Sequence, residues 1–520
     1  MKELLGAGES DGTPSASAQD RLQRRRDTRG VRRRVVGASV AAAIILAPCT
    51  EAGRSGEALS FAAAGRDAAA TLIRVFYAGR GQWRACTAPD CPTGNRDWGD
   101  DALTYALAMR YRATRAPKLR ALLRALAHTA PAHPQPCASP SRCRSWSDVP
   151  EWDAIALARE YGATGAPDAL TKAEAAFAFV ERSAVYARGA CPRIRYQQPG
   201  GGASRLKTLE TDGNGIKAAL LLYRATNRPE YLASARDHYE AVRAYFLDPA
   251  VPLYTAYVFD DGRTCTPLPH RFFASVNGDM IWSGLELFRD TGDRRYRNEA
   301  LATASAVDRD LADGRGVFAD LQAENDVVEP LVEAMAALAD EHVAFARRWI
   351  LRNATAALSA RDAEGVFGRF FDGPPPTSTV TEWQANGGIA LEIAAAALEP
   401  RMVTRASHAW AAARFVPKEI SGTDATVTIH GTGVALIGTL GERCCEDGHA
   451  RVLIDGRETF DETGIWQNKS SSGRSIDHSV LFAWRWRATG THTISFAPGV
   501  QNAKEGGSFL HLRGYLVPNP

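Results

Sequence analysis

The chain has 520 residues, 45% of them apolar, and a formal net charge of +3. That length carries a large core and more than one domain. Much of the positive excess sits in the first 34 residues, where RLQRRRDTRGVRRR is dense in arginine, so the rest is near neutral to acidic and nucleic acid is not an expected partner.

Residues 1–52 read as a leader with nothing to fold. The basic run is followed by Val35 to Pro48, VVGASVAAAIILAP, an export signal too short to span a bilayer. Arg33-Arg34 fits a twin-arginine route loosely, so general export is the expectation, with cleavage near Ala52. Cys49 follows an imperfect lipobox in which Pro48 replaces a small residue, and a lipid anchor there is the alternative. The expected location is outside the cell or in its envelope. Eight cysteines remain after the leader. Cys86/Cys91, Cys137/Cys143 and Cys444/Cys445 lie close together, which leaves Cys191 and Cys265 for each other. An even count in an exported chain, with no histidine at ligand spacing, points to disulfides rather than a metal site. The adjacent pair Cys444/Cys445 would close a strained vicinal ring if oxidised and reads nearly as well as two free thiols.

From Glu57 onward the chain repeats a hairpin. An aromatic-x-x-Thr mark recurs at Tyr111/Thr114, Tyr161/Thr164, Tyr223/Thr226 and Phe288/Thr291, with spacings of 50, 62 and 65 residues. An apolar helix precedes each mark and an Ala-rich amphipathic helix, begun by Pro or a charged residue, follows it. Inner helices are expected near 100–112, 152–163, 213–226 and 278–291, with weaker copies at 327–339 and 387–398. Partner helices are expected near 58–77, 117–129, 168–184, 229–246, 294–312 and 342–360. Long loops fall on one side of the series and short turns on the other, as a closed ring of hairpins requires. The fold class is therefore mainly α: an (α/α)6 barrel over residues 53–399, with an open superhelix of helix pairs as its competitor.

Past about Pro400 the texture changes to short alternating runs such as ATVTIHGTGVALIGT, ARVLIDGRETF and SVLFAWRW, separated by Gly, Asp-Gly and Ser clusters. Residues 400–520 read as a β-sandwich of jelly-roll type. Trp466, Gln467, Asn468, Trp484, Trp486 and Glu505 are its candidate ligand rim, although alternation should bury one of Trp484 and Trp486. Asp447 and Asp455 read as turn residues.

The chemistry gathers at one end of the expected barrel. Asp148 and Glu210 stand thirteen residues before their marks, and Asp100, Asp212 and Asn277 eleven before theirs. Asp101, Asp279, Glu324 and Asp326 lie in the corresponding segments of their own hairpins. Capping explains any one such acid. The case for function is their convergence at one rim with Trp98, Trp146, Trp152, Trp282 and Trp383, because indole faces stack on sugars while acids and amides bond hydroxyls. Cleaving a glycosidic bond takes two carboxyl groups, one to protonate the leaving oxygen and one to attack carbon or activate water. Phosphate-binding Gly-Lys-Ser/Thr loops and Gly-x-Ser-x-Gly elbows are absent, Gly200-Gly201-Gly202 reads as plain loop, and no cofactor is expected.

These hairpins and their acidic entries resemble glycoside hydrolase family 76, endo-α-1,6-mannanases with an (α/α)6 barrel, over about residues 57–398. Asp148 and Trp152 fall on the first aspartate and the tryptophan of the family's Asp-Asp motif, while Val149 replaces the second aspartate. ETDGNGIKAALLLYRATNRPEYL and ASVNGDMIWSGLELFRDTGDRRY resemble the family's third and fourth hairpins. The C-terminal region resembles galactose-binding-like sandwiches. The resemblance implies a monomeric glycosidase cleaving an α-linked polysaccharide, an α-mannan first. Its catalytic residues would be Asp148 with Asp100 or Asp101, Asp212 being the third acid near by register. Its substrate-binding residues would be Trp98, Trp152, Glu210, Asp212, Asn277, Asp279, Glu324, Asp326 and Trp383. Two alternatives stay open: glycan binding without cleavage, and lyase or epimerase chemistry using Tyr254, Tyr257 and His270.

Overall fold

The computed structural model describes residues 58–94, 97–131, 146–183, 189–195, 206–268, 271–319, 327–407, 409–421, 425–441, 450–457, 464–465, 472–498 and 511–518. The leader, Cys137/Cys143, Cys444/Cys445, Gly200–Gly202, His270, Glu324, Asp326, Asp447, Trp466–Asn468 and Glu505 lie outside them.

Twelve α-helices occur among the described residues: α1 (Phe61–Thr71), α2 (Trp98–Thr114), α3 (Pro117–Thr129), α4 (Val149–Thr164), α5 (Pro167–Ser183), α6 (Leu209–Thr226), α7 (Pro229–Phe246), α8 (Ala274–Thr291), α9 (Arg294–Asp310), α10 (Glu329–Asp340), α11 (Ala344–Ala357) and α12 (Glu382–Leu398). The even-numbered helices pack in order α2, α4, α6, α8, α10 and α12, and α12 returns to α2. The odd-numbered ones lie outside them, α1 on α12, α5 on α4, α7 on α6 and α9 on α8. The wall is closed, and the (α/α)6 barrel expected from the hairpin series is what forms.

The repeated threonine has a local cause. Arg115, Gly165, Asn227 and Gly292 adopt the left-handed conformation, and their N–H groups bond the carbonyls of Tyr111, Tyr161, Tyr223 and Phe288. Each threonine hydroxyl donates to the carbonyl four residues back. The hydroxyls of Thr164, Thr226 and Thr291 also accept the N–H groups of Ala166, Arg228 and Asp293. The mark is a clip that stops one helix and starts the next.

Five of the six inner helices begin two to five residues earlier than their apolar runs suggest. Acids assigned to entering loops therefore lie on first turns. The single helix expected over Glu57–Tyr77 is instead α1 followed by a π-helical turn, Leu72–Phe76.

Short strands decorate the barrel and a sheet follows it: β1 (Ala58–Ser60), β2 (Tyr77–Gly79), β3 (Gln82–Arg84), β4 (Thr93–Gly94), β5 (Leu206–Thr208), β6 (Tyr257–Asp260), β7 (Cys265–Pro267), β8 (Val403–Arg405), β9 (Arg414–Ser421), β10 (Thr426–Leu440), β11 (Ala450–Ile454), β12 (Gly464–Ile465), β13 (Ile476–Pro498) and β14 (His511–Val517). β1 pairs with β8, tying the start of the barrel to its end. The C-terminal strands form an antiparallel ladder in the order β12-β11-β13-β10-β14-β9. Register shifts between Gly431 and Gly433 let the two long strands, β10 and β13, pass from one half of the ladder to the other. Trp484 is buried and Trp486 less so, stacked on His492 at 3.9 Å between centroids. Arg315 of the barrel donates to Asp372 at 2.7 and 2.8 Å, and Arg485 of the sheet approaches the same carboxyl at 3.6 Å. The expected pairs Cys86–Cys91 and Cys191–Cys265 are both disulfides. No described helix is long and apolar enough to cross a membrane.

Candidate active site

Residues three, four and seven apart share a helix face, so each inner helix presents a defined set of side chains to the barrel axis. α2 presents Trp98, Asp101 and Tyr105; α4 presents Asp148, Trp152 and Arg159; α6 presents Glu210, Asn214 and Lys217. α8 adds Asp279 and Trp282, α10 adds Glu329 and Glu333, and α12 adds Trp383.

Contacts across the ring fix this arrangement. Trp98 stacks on Trp383 with centroids 5.2 Å apart, and Tyr105 stacks on Trp152 at 5.6 Å. The Tyr105 hydroxyl donates to the Trp152 carbonyl at 2.9 Å. Beneath this aromatic layer lies a buried ionic floor. Lys217 Nζ bonds Asp279 Oδ1 at 2.6 Å and Glu333 Oε2 at 3.2 Å, while Arg159 and Arg112 also bond Glu333. Arg159 sits 4.4 Å from the Tyr105 ring centroid, and Lys217 5.5 Å from that of Trp282. The cations hold Glu333 well below the ordinary carboxyl range against the effect of burial. Burial raises Asp279, with Lys217 opposing it.

Asp148 occupies the N-cap position of α4 but makes no side-chain cap bond, so capping does not explain it. Its carboxyl is buried, and Oδ2 has no hydrogen-bond partner. Burial pushes its pKa up to about 7; main-chain N–H groups and the Trp98 indole act in the opposite direction. The indole N–H groups of Trp98, Trp152 and Trp383 are likewise buried without a full hydrogen bond. Such atoms call for a bound partner.

The ring separates the two adjacent aspartates of α2. Asp101 is on the inner face and acts on Tyr105, whereas Asp100 lies against β4, where a Cβ at Gly94 would meet its Oδ2 at 3.0 Å. Asp97, not Asp100, caps the helix, accepting from the N–H groups of Gly99 and Asp100. Asp212 points away from the axis. It accepts the Arg195 N–H at 3.1 Å and faces His238 at 3.4 Å, while the Arg195 guanidinium bonds Glu151 at 3.0 Å and also Glu181. Burial raises Glu151 well above its ordinary value, Arg195 opposing. Asn277 spends its amide on the backbone of Tyr254, at 2.9 and 3.0 Å, and on the Phe273 carbonyl. Glu210 and Asp279 remain on inner faces.

Arg159, Lys217, Glu329 and Glu333 escaped the sequence reading. Their signal was charge inside an otherwise apolar helix, as in IALAREY, GIKAALLLY and EPLVEAMAAL. Among the described residues no group of three or more His, Cys, Asp or Glu side chains is placed to hold a metal ion.

No protein-family model matches the chain, and no curated protein matches it. Solved structures do. An inactive variant of an α-1,6-mannanase of glycoside hydrolase family 76 from Salegentibacter sp. HEL1_6, in complex with α-1,6-mannotetrose, superposes with a TM-score of 0.56. It is 18% identical and covers 66% of this chain and 100% of its own. A family-76 α-mannanase of Bacteroides thetaiotaomicron has a TM-score of 0.54 at 18% identity, covering 65% of this chain and 96% of its own. A family-76 mannosidase from Bacteroides thetaiotaomicron VPI-5482 has a TM-score of 0.55 at 14% identity, covering 65% and 98%. The barrel has the six-hairpin fold of these enzymes.

Proposed function

We propose that the chain is an exported glycoside hydrolase acting on an α-linked polysaccharide, an α-1,6-mannan first, with Asp148 as one of its two carboxyl groups. The observation that carries this is Asp148 itself: a buried carboxyl relieved of capping, facing an indole, on the inner wall of a barrel whose solved neighbours are described as α-mannanases. With its pKa near 7 it is substantially protonated at neutral pH and suits the general-acid role. Its proton goes to the glycosidic oxygen as the bond from that oxygen to the anomeric carbon breaks. Asp101, on the neighbouring inner helix, is the second carboxyl, attacking the carbon directly or taking a proton from the attacking water. The Trp98–Trp383 pair is the stacking platform. The leader and the two disulfides support export.

Binding without cleavage is the second reading. The Salegentibacter enzyme is described as inactive once two adjacent aspartates are replaced, yet is in complex with mannotetrose; here valine stands at position 149 beside Asp148. Lyase chemistry has less support, since Tyr254 is buried with its hydroxyl toward Tyr239 and its pKa is raised by burial. The test is a panel of α- and β-linked glycans incubated with the wild-type chain, Asp148→Asn and Asp101→Asn, products being separated by mass. New reducing ends from one α-linked glycan, lost in both variants, support the hydrolase. Retention of glycan without product from the wild type supports the binding reading, and unsaturated products support a lyase.

A further inference from the structure

The floor of the barrel carries an acid, an arginine and an amide that the proposed pair of carboxyls does not use. Glu329 opens α10, fully buried, and neither of its carboxyl oxygens has a hydrogen-bond partner. It does not cap its helix, because Asn386 Oδ1 takes the N–H groups of Val328 and Glu329 at 3.0 and 2.9 Å. The charges that act on it come from across the ring, Arg112 of α2, Arg159 of α4 and Lys217 of α6, so the carboxyl looks toward the barrel axis. Arg159 reaches the same place. Its Nη2 bonds Glu333, while Nε and Nη1 have no acceptor in a side chain that is 4% exposed. Asn214, nearly a turn before Lys217 on α6, is buried with both its amide oxygen and nitrogen unbonded.

We infer that Arg159, Glu329 and Asn214 form a hydroxyl-clamping subsite at the floor of the barrel that receives a neutral hexose unit of the substrate. This rests on the glycosidase reading above. Two unused N–H groups of a rigid guanidinium, a carboxyl and a carboxamide are the groups that hold a pair of neighbouring ring hydroxyls, and they are costly to leave buried and unbonded otherwise. A neutral sugar fits because each floor cation already bonds a carboxylate: Arg159 and Arg112 bond Glu333, and Lys217 bonds Asp279 and Glu333. A uronate would bring a third negative charge beside those two carboxylates. Glu329 acts in its protonated form, as donor to one hydroxyl. Burial and then Glu333 raise its pKa to about 8, against Arg159, Lys217 and Arg112. Tyr105 of α2 also interacts with it, Asp279 of α8 acts on that tyrosine and on Lys217, and α12 contributes the uncharged Asn386.

The test is calorimetric titration of the full-length chain carrying Asp148→Asn, to prevent turnover, with α-1,6-linked mannotetraose between pH 6 and 9.5. Adding Glu329→Leu should weaken binding about 10- to 100-fold and leave the melting temperature unchanged or higher, because a buried acid without a partner is removed. Glu329→Gln should bind within a few-fold of the parent at pH 6. Above pH about 8 the parent should lose about tenfold in affinity per pH unit, and the Gln variant should not. Equal binding by the Leu variant, or coincident pH profiles of parent and Gln variant, overturns the subsite while leaving the glycosidase reading in place. A uronic-acid oligosaccharide that binds more tightly than the mannotetraose overturns the assignment to a neutral sugar. No binding of any neutral glycan by the parent removes the glycosidase reading and the subsite with it.

Discussion

Lys217 is the cation most dependent on the closed ring, since it leaves α6 and meets α8 and α10 at once. Replacing it with methionine keeps the length of the side chain and removes the charge. Asp279 then loses its 2.6 Å partner, and its Oδ2 is already unbonded; Glu333 keeps Arg159 and Arg112. Removing one member of a buried pair costs about 3–5 kcal/mol, because the other charge stays buried alone. The cost depends on pH with a definite sign. Burial already raises the folded pKa of Asp279, and loss of Lys217 raises it further. The penalty is complete above that folded pKa and fades as pH falls toward the unfolded value near 4, where the carboxyl is protonated in both states. Urea unfolding followed by tryptophan fluorescence should therefore show a large loss of stability at pH 8 and a much smaller one at pH 5. Lys217→Met with Asp279→Leu should be about 1–3 kcal/mol more stable at pH 8 than Lys217→Met alone. A loss below about 1 kcal/mol at pH 8, equal losses at both pH values, or a double variant no better than the single one would refute the buried ionic floor.

Gly99→Ala should disturb the stacking platform, since a Cβ there would overlap Glu382 Cγ and lie 2.6 Å from Trp383 Cδ1. Near-ultraviolet circular dichroism should change and oligosaccharide affinity should fall about tenfold or more, whereas an unchanged spectrum and affinity would count against the platform. Replacing Cys191 and Cys265 with serine should destabilise the chain by about 4 kcal/mol on the chain-entropy scale, because the bridge closes a sequence separation of 74 residues; urea midpoints of the two forms check it. If Asp148 is the general acid, kcat/KM should fall as pH rises through about 7, and a fall on the acid side of that value instead would assign it the base or nucleophile.

The hairpins were legible because their signal is local: the aromatic-x-x-Thr mark states a left-handed stop and a threonine clip that operate within six residues. Helix starts were less legible. Polar first turns such as Leu209–Asp212 and Glu382–Asn386 look like loops, and what makes them helical lies partly elsewhere in the chain, as where Asn386 holds the start of α10. The register that grouped Asp212 and Asn277 with Asp100 was correct as spacing but blind to direction. Eleven residues before the mark puts each of these side chains off the axis, against Arg195, Tyr254 and Gly94 respectively. Arg159, Lys217 and Glu333 are paired across separations of 62 to 221 residues, which no local pattern reports.

The most direct measurement is release of reducing ends from an α-1,6-mannan oligosaccharide by the wild-type chain, Asp148→Asn and Asp101→Asn, with binding followed in parallel. Release by the wild type, reduced by about 100-fold or more in each variant while the oligosaccharide is still bound, is the expected result. Release that survives both substitutions, or an absence of release from every glycan offered to the wild type, would contradict the assignment of this rim to glycoside hydrolysis.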